Sequence, residues 1–112
     1  MTLEIEIDRS RGEGVVVVAF GGELDLAGCD GATAALQEAE EGGPRVVVID
    51  LDRLEFIDSS GVRVLIEAHD RARVGGHRLL VTRGGGEVAR AGRLLGLDDL
   101  LPIVDDLDEA LR

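Results

Sequence analysis

Apolar and polar residues alternate at the start of the chain, where Leu3, Ile5 and Ile7 are separated by Glu4, Glu6 and Asp8. A period of two is that of a half-buried strand, and the acidic face suits a sheet edge. Residues 15–20, VVVVAF, form a continuous apolar run of strand length. The polar, glycine-bearing stretch 9–14 between the two runs predicts a hairpin. Gly21 and Gly22 break the second run, and the period then changes. Cys29, Ala32, Leu36 and Ala39 fall at helical spacing, with Glu38, Glu40 and Glu41 elsewhere on the surface. Gly42 and Gly43 stop this helix and Pro44 forbids its resumption.

Residues 45–51, RVVVIDL, are apolar on both faces, as expected of a central strand covered on each side. The stretch EFIDSSGV, residues 55–62, then leads into a helix. Val62, Leu65, Ile66, His69 and Ala72 trace its inner face, Arg63, Glu67, Asp70 and Arg71 fall largely off it, and Gly75 and Gly76 end it. Residues 78–82 predict a short strand. Residues 87–95 predict a helix with Val88, Ala91, Leu94 and Leu95 inward, stopped at Gly96. Residues 101–104 are a short extended piece that Pro102 keeps from the sheet centre. Asp106 with Glu109 three residues on resembles a capping box and predicts a terminal helix.

The order ββαβαβα, then a short segment and a helix, implies crossover units and an α/β fold. The expectation is one domain over residues 1–112, with a mixed sheet of four to five strands and about four helices. The sheet would start with the N-terminal hairpin and continue with parallel strands. Aromatic residues are only 2% of the chain, so the core must be built from Val, Leu, Ile and Ala. The formal net charge of -11, with no lysine at all, disfavours nucleic acid and anionic membrane, which need a basic footprint. A protein partner with a basic face fits this charge. Cys29, the single cysteine, cannot form an internal disulfide and fits a reducing compartment or simple burial. No apolar run approaches a membrane span, and MTLEIEIDRS lacks signal-peptide features, so a cytoplasmic protein is expected.

Asp58, Ser59, Ser60 and Gly61 stand where a central strand gives way to a helix. A helix start carries unpaired N–H groups and partial positive charge. Asp and Ser are favoured N-cap residues, so one reading of this stretch is a cap. One residue suffices for a cap, however, and a neighbouring hydroxyl could instead accept a phosphate. The residue types leave both readings open.

LEFIDSSGVRVLI resembles the signature of STAS domains, most closely the bacterial anti-sigma factor antagonists. GGELDLAG, residues 21–28, resembles the family's first loop. VVVIDLDRLEFIDSSG resembles its strand and phosphorylation loop, and LLVTRGGGEVARAGRLLGLDDLLPIV its last strand and helix. Cys29 and the run Gly84-Gly85-Gly86 depart from the family's usual residues at their positions. The resemblance implies an antagonist that, unphosphorylated, binds an anti-sigma factor acting as a serine kinase. Phosphorylation of Ser59 releases the complex, and a serine phosphatase restores the first state. Asp25, Asp58, Ser60 and Gly61 would shape the partner-binding surface. ATP and magnesium belong to the kinase, so the resemblance implies no enzyme activity, no cofactor and no metal for this chain. The alternative within the family is a subunit of another assembly, a stress-signalling complex or a lipid or anion transport system. There the same loop would hold a partner protein or a small ligand. A monomer is expected, or a weak homodimer paired through the first strand.

Other signals carry less. Arg83 and the three glycines lack both the lysine and the spacing of a phosphate-binding loop. His69, His77 and Cys29 make no metal set. Strand alternation argues against a cluster of Asp50, Asp52 and Asp58. A hydrolase using Ser59 would need a base, and no histidine lies near it in sequence.

Overall fold

The computed structural model describes residues 2–112. Five strands form one sheet in the order β1-β2-β3-β4-β5, so sequence order and spatial order coincide. The strands are β1 (Leu3–Asp8), β2 (Val15–Leu24), β3 (Val46–Ile57), β4 (Arg78–Thr82) and β5 (Ile103–Val104). β1 pairs antiparallel with β2, and the remaining pairs are parallel. The helices are α1 (Cys29–Glu40), α2 (Ser59–Gly75), α3 (Gly86–Leu95), α4 (Leu97–Leu100) and α5 (Leu107–Ala110). A 3-10 turn, Leu26–Gly28, precedes α1. The expected hairpin, parallel sheet and terminal helix are all present. The helices number five rather than about four, because α4 is too short to leave a periodic signal.

Alternation along the two central strands builds two cores. Val16, Val18, Phe20, Val47 and Ile49 join the larger core with Leu36 of α1, Leu65 of α2 and Val88 of α3. Val17, Val46 and Val48 point the other way and pack with Ala110 of α5. Both faces of β2 and β3 are therefore covered, which is why their runs read as continuously apolar. Across the larger core, Arg71 of α2 grips both carboxylate oxygens of Glu40 of α1, at 2.8 and 2.9 Å. This fork-to-fork pair ties together the two helices that flank the site.

Three expectations are corrected. β2 does not stop at Gly21 and Gly22 but runs through them to Leu24 with two register shifts against β3. Gly22 takes φ +78, and a side chain there would collide with the Thr2 carbonyl oxygen. The glycines are a bulge that lets the strand bend and continue. β3 likewise runs six residues past Leu51, to Ile57. In α3, Leu94 and Leu95 do not face inward; they are 75% and 47% exposed. Gly96 takes a left-handed cap, and the chain turns so that Leu97 fills the core position instead. At the last helix, Asp106 accepts the Glu109 N–H at 2.9 Å. Glu109 reaches back to the Asp105 N–H, one residue earlier than in a standard capping box.

Replacing Gly22 with alanine strains a positive φ and forces the Thr2 backbone aside. The expected loss is about 1–3 kcal/mol, read as a lower urea midpoint with unchanged m-value.

Candidate functional site

The site is carried by the overrun of two strands. β4 pairs with β3 only as far as Ile49 opposite Val81. The buried Thr82 hydroxyl then accepts the Leu51 N–H at 2.8 Å and closes that ladder. Beyond this point β3 keeps only β2 as partner, up to the last pair, Leu24 with Ile57. Asp25 and Asp58 follow those residues, so the two loops leave the sheet side by side at the carboxyl ends of parallel strands. The Asp58 N–H bonds to the Leu24 carbonyl at 3.3 Å.

Asp58 is the N-cap of α2, in extended conformation, and its Oδ1 accepts the Gly61 N–H at 3.1 Å. The helix then begins immediately, with the Val62 N–H on the Asp58 carbonyl at 3.0 Å. Gly61 is buried. A Cβ there would lie 2.6 Å from the Leu24 carbonyl oxygen and 2.8 Å from Ile57 Cγ1. Gly61 is thus required for the close approach of α2 to β2, and it offers no surface to a partner.

Asp58 does the capping, so neither serine is needed for it. Ser59 is exposed and Ser60 half-buried. Among the described residues neither hydroxyl has a hydrogen-bond partner within the chain. Both open onto a groove of about 360 Å³ between the start of α1 and the start of α2. Arg63 and Glu67 of α2 and Cys29 and Asp30 of α1 also line it, with Leu26 at the rim, 75% exposed. The Cys29 thiol donates to the Asp25 carbonyl at 3.2 Å. Burial pushes this thiol up from its ordinary pKa, helped by the negative charges of Asp58, Asp25, Asp30 and Glu67. It therefore stays a protonated thiol at neutral pH and is not a ready nucleophile.

The structure brings Ser59 and Ser60 together in the groove and sets Asp58 beneath them. Asp25 is a neighbour but half-buried, and it lines a separate hollow of about 240 Å³ between β1 and the start of α1. The helical pattern alone puts Arg63 among surface residues. The signal that finds it is its spacing of four from Ser59, one helical turn on the same face.

Strand alternation argues against a cluster with Asp58, yet Asp50 and Asp52 lie two apart and share a face. The Asp52 N–H donates to Asp50 Oδ1 at 2.9 Å. Burial and repulsion from Asp50 raise the Asp52 carboxyl above its ordinary pKa. Asp58 is indeed apart from them, at the N-cap of α2. Arg83 is likewise occupied, holding Asp98 at 2.9 and 3.0 Å and Asp105 at 3.3 Å. Gly84, at φ +74, lets the chain pass 3.1 Å from the Leu51 carbonyl, measured from where a Cβ would stand. The glycine run is thus a close-packed turn. Among the described residues no three His, Cys, Asp or Glu side chains could hold a metal ion, and no helix is long and apolar enough to cross a membrane.

Comparison with known proteins finds relatives of the whole fold. A family model described as STAS domain matches residues 6–110. The anti-sigma-F factor antagonist RsfB of Mycobacterium tuberculosis is 32% identical over 98 residues, which are 88% of this chain and 80% of RsfB. The anti-sigma F factor antagonist of Paenibacillus polymyxa is 31% identical over 112 residues, 99% of this chain and 94% of that one. A crystal structure of an anti-sigma factor antagonist from Mycobacterium paratuberculosis has a TM-score of 0.85 at 27% identity, covering 98% of this chain and 92% of its own.

Two outcomes follow from the geometry. Asp58→Ala removes the cap and costs about 1 kcal/mol of stability, whereas Ser59→Ala changes stability by less than about 0.5 kcal/mol; paired denaturant melts separate the two roles. At Asp52 the folded pKa is raised, so its carboxylate form weakens the fold above that pKa, and the stability is regained as pH falls through it. Asp52→Asn is therefore stabilising by roughly a few tenths of a kcal/mol near pH 7. Thermal melts should show this gain fading toward about pH 3, where the carboxyl is protonated in both states.

Proposed function

The chain belongs to the STAS domain family, and on that premise we propose that it works as an anti-sigma factor antagonist switched at Ser59. In its unmodified form it binds an anti-sigma factor that is also a serine kinase, through the groove and the paired loops at Asp25 and Asp58. Phosphorylation of Ser59 dissolves the complex, and a serine phosphatase restores the binding form. The observation that carries this reading is the exposed Ser59 hydroxyl, with no partner of its own, beside a cap that Asp58 already supplies. The relatives named above as anti-sigma factor antagonists support the partner class.

The chain's part in the chemistry is to present the hydroxyl. Ser59 Oγ attacks the γ-phosphorus of ATP held with magnesium on the kinase. The Oγ–P bond forms, the bond from that phosphorus to the bridging oxygen breaks, and ADP leaves. The hydroxyl proton passes to a base of the kinase. The chain is a substrate in this step, and it needs no cofactor of its own. The added group carries about -1.5 to -2 charges and enters a groove already walled by Asp30 and Glu67. At the first turn of α2 this charge is favourable to the helix. Toward a docked partner it adds bulk and an ion that must be desolvated, and it breaks the contact without refolding the domain.

The protein should be incubated with its cognate anti-sigma factor kinase and magnesium ATP, and the modified residue mapped by mass spectrometry. Wild type and Ser60→Ala are expected to take one phosphate, and Ser59→Ala none. Ser59→Ala should keep its affinity for the kinase, and Ser59→Asp should lose at least about ten-fold, or 1.4 kcal/mol. Full phosphorylation of Ser59→Ala would reject the assignment.

A further inference from the structure

We propose that Arg63 is the internal counter-ion for a phosphate on Ser59, holding that phosphate inside the groove between α1 and α2. This inference rests on the reading of Ser59 as the modified residue and adds how the modified state is built. Ser59 and Arg63 lie four residues apart on α2, a separation that puts side chains on one face within reach of each other, with Cβ atoms about 5–6 Å apart. Both line the same groove.

Among the described residues Arg63 makes no ion pair within 4 Å, so its guanidinium is not already held by a carboxylate as those of Arg71 and Arg83 are; several other arginines are likewise unpaired, but none of them lines this groove. Arg63 is also the single cation lining a groove whose other charged walls are Asp30 and Glu67. A dianion placed there faces the carboxylates of Asp30 and Glu67 and one guanidinium. A planar guanidinium can take two phosphate oxygens at once, and phosphate is a stronger acceptor for it than a distant carboxylate. The group then folds back over the first turn of α2 and occupies the groove. A partner is excluded by a filled groove as well as by charge.

The test installs phosphoserine at position 59 during translation, so no kinase is needed. Phosphorus NMR then follows the titration of the phosphate in the folded protein. With Arg63 present, the second phosphate pKa is expected below the ordinary value of about 6. In Arg63→Gln it should rise by at least about half a unit, a three-fold change in ionisation, and Arg63→Lys should recover part of the shift. The Arg63 side-chain N–H resonance of the wild-type protein should also move on phosphorylation, which needs no variant to fold. Equal phosphate titration in wild type and Arg63→Gln, or an Arg63 N–H unmoved by the phosphate, overturns the proposal. A phosphate that pairs with Arg63 when installed, on a serine the kinase never modifies, would sink the functional reading and leave this one standing.

Discussion

Residue 61 has no room for a side chain, and that steric constraint fixes the site. The start of α2 lies so close to the end of β2 that a methyl group would press on the Leu24 carbonyl oxygen. The Asp58 N–H bonds the same carbonyl, and its carboxylate holds the Gly61 N–H. One backbone oxygen, one cap and one glycine thus clamp the helix to the strand pair that carries it. Ser59 and Ser60, between cap and glycine, are positioned by backbone that their hydroxyls do not themselves support. A hydroxyl held this way can change chemically while the packing behind it stays as it was.

Electrostatics decides what such a change can do. Exposed ion pairs contribute about 0–1 kcal/mol, so one more charge on an open groove costs the isolated domain little. The same charge at a contact must shed its water, and an unpaired buried charge at an interface costs about 2–5 kcal/mol or more. The two numbers differ because the solvent differs. The chain's own charge of -11 adds to the contrast, since under the proposed modification a partner suited to an acidic face would meet a sharper local negative charge.

Much of the fold is legible in the residues because periodicity and punctuation agree with tertiary burial. β1, the apolar run of β2, the start of β3 and the Asp106 cap all follow from local rules that the packing leaves intact. The errors arise where packing overrules them. Gly21 and Gly22 read as a break, but a strand paired on both sides tolerates a bulge. Leu94 and Leu95 read as core, but the left-handed turn at Gly96 gives the inner position to Leu97. At the site, the serines and the cap could be seen in sequence. Which of the two capped could not, since Asp and Ser compete for that role on equal terms and only backbone geometry assigns it. Asp25 could be placed beside Asp58 from strand adjacency, yet it precedes the 3-10 turn into α1 and lines another hollow.

The helix that bears the serines divides its labour along its length. Leu65, Ala68 and Ala72 bury one face against the sheet, and Arg71 locks its partner helix from the side. The first turn contributes Gly61 and Val62 to that packing and leaves Ser59 outside it. Burying a Val or Leu side chain stabilises by about 1.5–3 kcal/mol, and Val62, Val64 and Leu65 together outweigh any charge effect at the exposed end. The buried packing and the exposed hydroxyl are therefore placed on different parts of one helix. A group added at Ser59 can oppose a partner by more than the affinity of a typical contact residue and still fall short of the energy needed to lift α2 from the sheet.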